Sequence, residues 1–146
     1  MSDRGLRGAL LALCLAGASV AGYLLSVRWG GAELLCSTGG CETVQSSSYA
    51  ELFGVPVAAL GLVGFVAIGG TALAGDQLAR ALGAALALGA LAFSGYLLVI
   101  QLAVIDAVCD WCLASDAITT VVAVVALLRL REAAVPSDGR MLTRTT

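Results

Sequence analysis

Hydrophobic residues run almost unbroken through four stretches of the chain, Leu6 to Val27, Gly54 to Ala74, Ala81 to Ile105 and Leu113 to Leu128. Polar residues gather between them. Each stretch is close to the ~20 residues a helix needs to cross a ~30 Å hydrocarbon core. The pattern predicts an all-α integral membrane protein, a four-transmembrane-helix bundle with spans at about 6–27, 54–74, 81–105 and 112–130. A loop over 28–53 separates the first two spans, residues 1–131 make one membrane domain, and the tail over 132–146 is expected to be disordered.

Composition supports this reading. Sixty per cent of residues are hydrophobic and 12% charged, and the mean hydropathy is +0.97, whereas a soluble domain carries roughly 25% charged residues. Arg4 and Arg7 before the first apolar run suit a signal peptide. The run is nonetheless longer than the ~7–15 residues of such a segment, and Arg28-Trp29 follows in place of a small-residue cleavage site, so a retained first helix is expected. Arginine is the only basic residue, and seven of the eight (all but Arg28) fall on one side of the predicted spans. The positive-inside rule places that side, with both termini, in the cytoplasm and the 28–53 loop outside the cytoplasmic membrane. No basic stripe suggests nucleic acid.

Within the loop, Gly30-Gly31 and Ser37-Thr38-Gly39-Gly40 read as turns. Ser48 and Glu51 have the spacing of a capping box, and Gly54 that of a terminator, so a short surface helix is expected there. Pro56 suits the first turn of the second span. Gly8, Ala12 and Ala16, and likewise Ala81, Ala85 and Gly89, form small-residue stripes that permit close helix contact.

The chemistry lies in cysteine. The chain has five cysteines and no histidine, and four of the cysteines, Cys36, Cys41, Cys109 and Cys112, fall at the outward side. Cys109-Asp110-Trp111-Cys112 is a C-x-x-C at a helix start, where exposed N–H groups and the helix dipole favour a thiolate. Cys36 can bridge to Cys41, or Cys41 can reach Cys109. Either arrangement lets thiol–disulfide exchange pass electrons along a row of sulfurs. The competing readings are a zinc site and a pair of structural disulfides. Cys14, in mid-span, reads as an inert buried thiol.

Asp116 is an ionisable group inside a span and therefore a functional candidate. It lies one turn beyond Cys112, also where a helix end tolerates a carboxylate. Electrons leaving a membrane dithiol need a lipid-soluble acceptor, for which a quinone is the obvious choice. Phe65, Phe93, Tyr96 and Trp111 are candidates to line its pocket.

Together, Cys36, Cys41, Val44, Ser47, Tyr49, Phe53-Gly54 and Pro56, followed by Cys109-x-x-Cys112 opening the last span, resemble the vitamin K epoxide reductases and their bacterial relatives. The likeness runs from Leu6 to about Leu128. It implies that Cys36 exchanges with a thioredoxin-like (DsbA-like) partner, that Cys41 relays to Cys109, and that Cys112 delivers electrons to a quinone such as menaquinone or ubiquinone. Ser47 would sit near the relay. The implied activity is that of a membrane thiol oxidase supporting disulfide formation in exported proteins. Reduction of a quinone or quinone epoxide as the main role, and a metal-binding or structural protein, are the alternatives. The animal enzymes have a longer spacing between the loop cysteines, and a tyrosine where this chain has Asp116. Many bacterial members have asparagine where Val57 follows Pro56. Many also carry a fused thioredoxin-like domain, which this chain ends too soon to include, so a separate partner is expected.

Overall fold

The computed structural model describes residues 2–31 and 33–134. Long helices dominate it, as uninterrupted apolar sequence in lipid requires: every backbone polar group must be satisfied within the segment. Helix α1 spans Asp3–Gly30, α3 Val57–Leu73, α4 Gln77–Ile100 and α5 Asp110–Ala134, with a short α2 at Cys41–Ser46. The Ser2 hydroxyl caps α1 by accepting from Gly5 N–H, and Gly31, left-handed at φ 65°, ends it. Asp76 caps α4 through Ala79 N–H.

The long helices form a ring in which α1 packs on α3 and α5, and α4 packs on α3 and α5. On α1 the buried face is Leu6, Leu10, Cys14, Gly17, Ala21 and Leu24, recurring at the three- and four-residue steps of one helical face. Leu6, Leu10, Cys14, Phe65, Ile68 and Val122 make the centre of the core. Gly17 lets the Phe65 ring approach α1 closely there, since a Cβ would lie 2.4 Å from the ring and displace it.

Three segments are long and apolar enough to cross a membrane: Asp3–Gly30, Gln77–Ile105 and Asp110–Ala134. The Val57–Leu73 helix is apolar but shorter; its 17 residues rise about 25 Å. After Ile100, α4 widens into a π-helical turn over Gln101–Ile105, closed by Asp106 at φ 52°.

Several expectations need correction. No helix of the expected kind starts at the capping-box pattern; the loop's short helix is α2, earlier, at Cys41–Ser46, and its first residue is buried. Ser48–Ala50 is a single 3₁₀ turn, and Glu51–Leu52 pairs antiparallel with Val55–Pro56 in a minimal hairpin. Phe53 and Gly54 both have positive φ (52° and 80°), as a two-residue hairpin turn of the favoured hand demands. Gly54 is therefore a turn residue rather than a helix terminator. Glu51 pairs with Arg28 instead of capping a helix. Pro56 precedes α3 rather than opening its first turn.

The small-residue stripes Gly8/Ala12/Ala16 and Ala81/Ala85/Gly89 are exposed rather than packed between helices, and Ala85 and Gly89 instead line a cavity. The buried small residues of α4 are instead Ala79, Gly83, Ala84 and Ala87. Of the tail expected to be disordered, 132–134 continues α5, and 135–146 lies outside the described residues.

Candidate redox site

Cys36, Cys41, Cys109 and Cys112 gather at one end of the bundle, where α1 ends and α5 begins. Cys36 and Cys41 are joined in a disulfide, and Cys109 and Cys112 are free thiols. Their surroundings differ. Cys36 sits in a loop and is half-buried, while Cys41, the first residue of α2, and Cys109, just ahead of α5, are both 0% exposed.

The loop is fastened to the start of α5 by the two residues inside the C-x-x-C. The Asp110 carboxylate accepts from Ser37 N–H (2.7 Å) and Thr38 N–H (3.3 Å), and its Oδ2 lies 3.7 Å from Cys36 Sγ. Trp111 Nε1 donates to Leu35 carbonyl at 2.7 Å, and its ring packs on Tyr23 with centroids 4.8 Å apart. The Thr38 hydroxyl donates to the Val108 carbonyl at 2.7 Å. Gly40 completes the closure: a Cβ there would lie 2.4 Å from Val108 O and 2.7 Å from Val108 N. The neighbours of Gly40 and Val108 in the chain are Cys41 and Cys109, so this backbone contact brings the two cysteine pairs together.

The inner pair is poised for dithiol chemistry. Cys112 Sγ donates to Cys109 Sγ across 2.6 Å, and Cys112 N–H points at the same sulfur from 3.3 Å. The two-residue spacing at a helix start brings both sulfurs within one turn, as a reversible disulfide requires. The Cys112 thiol hydrogen bond is the main reason the Cys109 thiol is lowered from 9.0 to about 7, against the opposing effect of burial. Cys109 is thus substantially a thiolate near neutrality, the reactive form in exchange. Gln45 Nε2 contributes a donor 3.7 Å from Cys112 Sγ.

Beneath the inner pair lies a cavity of about 600 Å³, with a predominantly apolar wall. Cys112 opens onto it and Cys109 does not. Asp116, Phe65, Phe93 and Ser47 also line it, whereas Tyr96 and Trp111 do not. Tyr96 is 52% exposed and stacks on Phe93 with centroids 6.3 Å apart. Ser47 ends α2 and donates through its hydroxyl to Val44 carbonyl at 2.7 Å. The polar points of the cavity are few. Ser94 donates to the Asp116 carboxylate. Gln101, 3% exposed and in the π-helical turn, has its Nε2 buried with no hydrogen-bond partner among the described residues. Cys14 is remote from all this, buried in the core against Gly69.

Sequence reasoning missed Asp110, Gln45, Gly40 and Gln101. Asp110 stood in plain view inside the C-x-x-C, and Gln45 four residues after Cys41. The only advance signal for Gln101 was its being the one amide side chain in an otherwise apolar run.

No curated protein matches the chain significantly. The family model described as the vitamin K epoxide reductase family matches residues 9–127, a stretch that takes in all four of these cysteines and the cavity. A membrane redox protein family that uses quinones as electron carriers accords with paired thiols above an apolar cavity, and the chain belongs to the vitamin K epoxide reductase family.

Proposed function

We propose that the protein is a membrane thiol oxidase that carries electrons from a separate thioredoxin-like, DsbA-like dithiol to a lipid quinone. All four long helices would span the cytoplasmic membrane with both termini inside and the cysteine loop outside. α3 is the shortest span, with the hairpin at its outer end. The observation that carries this reading is the meeting of two cysteine pairs in different states, the outer one oxidised and the inner one reduced, with Cys112 opening onto an apolar cavity.

Cys36, the accessible member of the outer pair, takes the partner's attack, and Cys41 leaves as a thiolate. When the inner pair is a disulfide, Cys41 attacks Cys109 and Cys112 leaves as a thiolate. The partner's second thiol then displaces Cys36 and the partner departs oxidised. Cys36 attacks Cys41 to re-form the outer disulfide and free Cys109, so that the partner's two electrons arrive at Cys109 and Cys112. Re-forming the inner disulfide releases two electrons and two protons. A quinone in the cavity supplies the acceptor and leaves as quinol. Ligand pockets of roughly 300–1,000 Å³ with a few polar groups are usual for such molecules, and the cavity of about 600 Å³ fits. The unpartnered Gln101 Nε2 offers a donor to a carbonyl oxygen. Ser94 orients Asp116, one turn from Cys112, to accept or return a proton. Ser47, at the end of α2, supports the relay. Menaquinone and ubiquinone both suit this description.

The deciding experiment supplies purified protein with a reduced thioredoxin-like dithiol and follows quinone reduction by absorbance, beside a Cys109→Ala variant. Turnover in the wild type that disappears in the variant is expected. A zinc-binding reading would use reduced Cys36 and Cys41 with Asp110, whose ligand atoms lie within 4.8 Å of one another. Tightly bound zinc with no turnover on any common quinone would replace the oxidase with that reading.

A further inference from the structure

At the end of the bundle remote from the cysteines, three arginines from three helices meet. Arg7 of α1 donates through Nε to Ala72 carbonyl and through Nη2 to Leu73 carbonyl, both at 2.9 Å, closing the last turn of α3. Arg80 of α4 reaches the Arg129 carbonyl at 3.4 Å. Arg129 of α5 is 2% exposed.

Among the described residues the acceptors for these groups are few. Asp3 Oδ1 lies 3.1 Å from Arg80 Nη1 and 3.7 Å from Arg129 Nε, close enough for ion pairs. Nevertheless, among the described residues, Arg129 Nε and Nη2 and Asp3 Oδ1 are buried with no hydrogen bond of ordinary geometry. The charges acting on Arg129 are Asp3, which attracts it, and Arg80 and Arg7, which repel it. Asp76 is occupied as the cap of α4, and Glu132 lies a turn farther along α5 with a contact of its own. A buried guanidinium with open donors is strongly unfavourable unless a second acceptor completes it.

Geometry says where that acceptor comes from. The rise along α5 from Asp110 to Arg129 is about 29 Å at ~1.5 Å per residue, close to the ~30 Å hydrocarbon thickness. Arg129 therefore lies at the depth where lipid phosphates begin. The partly exposed side chains of Asp3 and Arg80 (36% and 15%) form the mouth above it. Guanidinium forks match phosphate oxygens in pairs.

We propose that Arg7, Arg80 and Arg129 form a binding site for a negatively charged phosphate group, entering where the Asp3 carboxylate now lies. An acidic phospholipid headgroup and dissolved phosphate share this chemistry. The site is independent of the redox reading, because it lies at the opposite end of the bundle and is assayed by binding alone.

The test is native mass spectrometry of the purified full chain in detergent, titrated with phosphatidylglycerol or phosphatidylcholine, with inorganic phosphate as a third arm. Phosphatidylglycerol is expected to bind about fivefold or more tightly than phosphatidylcholine, and Arg80→Gln to weaken it about fivefold. Asp3→Asn, which removes the competing carboxylate, is expected to tighten binding. Competition by millimolar phosphate would assign the source to the dissolved anion, and indifference to it would assign the lipid. Should Arg80→Gln fail to fold, the sign of the Asp3→Asn effect decides. Equal binding of the two lipids with no effect of phosphate would overturn the site, as would weaker binding in Asp3→Asn.

Discussion

The two cysteine pairs are built from the same atoms and held in opposite ways. Cys36 and Cys41 belong to a loop and a six-residue helix, fastened by the hydrogen bonds that the Asp110 carboxylate accepts from Ser37 and Thr38 and those that the Thr38 hydroxyl and Trp111 donate. Cys109 and Cys112 stand at the start of a 25-residue helix, fixed by its backbone and by the bundle. The outer pair gains partial exposure at Cys36, in a segment with no long helix to hold it. The inner pair gains a fixed sulfur–sulfur approach and a view of the cavity. A relay needs both, since one end must meet a protein from outside and the other must present a sulfur to a buried acceptor. On the proposed relay, the difference teaches that the loop's tethers, rather than the cysteines themselves, would decide whether the pairs communicate.

The strongest way to break this arrangement is at the closest tether. In Gly40→Ala the new methyl would collide with the Val108 backbone, at 2.4 Å from its oxygen, and neither side of the contact is a flexible side chain. The loop must then stand off α5. Transfer from the outer to the inner pair is expected to slow about 100-fold, in line with what a misplacement near 1 Å costs a positioned reaction. Quinone reduction by protein whose inner pair is reduced chemically should be little changed. Rapid-mixing measurements of the two half-reactions check this, and equal slowing of both would mean that Gly40 supports the bundle rather than the relay.

A second prediction concerns the inner pair alone. The Cys112 hydrogen bond is the main cause that lowers Cys109 to about 7 from 9.0. A depressed thiol pKa means that the thiolate is present above that pH and is lost as the pH falls through it. In protein whose outer pair stays oxidised, the thiolate ultraviolet absorbance should therefore titrate with a midpoint near 7. Cys112→Ala removes that donor and leaves burial opposed only by the backbone N–H groups of residues 111 and 112 and by Gln45, so the midpoint should rise toward 9.0. At pH 7 the thiolate fraction should fall several-fold, approaching about 50-fold only if the midpoint reaches 9.0. A midpoint that stays near neutrality in the variant would transfer the credit to the backbone N–H groups of Trp111 and Cys112.

The same contrast explains what could be read from the chain in advance. The long helices were legible because lipid imposes one rule on every residue of a span, and an average over twenty positions survives local exceptions. The placement of the cysteines followed from those spans. The loop was not legible in this way. Ser48 and Glu51 have the spacing of a cap, but Glu51 is taken by Arg28 from the end of α1, a partner that no local pattern reveals. Asp110 is an ordinary surface carboxylate until Ser37 and Thr38 arrive beside it from 70 residues away or more. The small-residue stripes failed for a different reason: in segments this rich in alanine and glycine, four-residue spacing recurs on every face. Gln101 becomes notable only because a π-helical turn carries it to the cavity wall.

The smallest effect is expected at the fifth cysteine, and it tests whether position rather than thiol chemistry separates the active from the inert sulfurs. Cys14 is 4% exposed and packs against Gly69, where a methyl would lie 3.4 Å from its Cβ. It is absent from the lining of the cavity and has no sulfur partner. Cys14→Ala removes one buried atom and should cost about 1 kcal/mol of stability, while turnover stays within about twofold. Denaturation and steady-state quinone reduction on the same preparation separate the two quantities. A small loss of stability with intact turnover leaves Cys14 as a packing residue in the α1–α3 contact. A loss of turnover beyond tenfold with stability preserved would mean that electrons or the acceptor reach the middle of the bundle, and the division between a reactive end and an inert core would have to be redrawn.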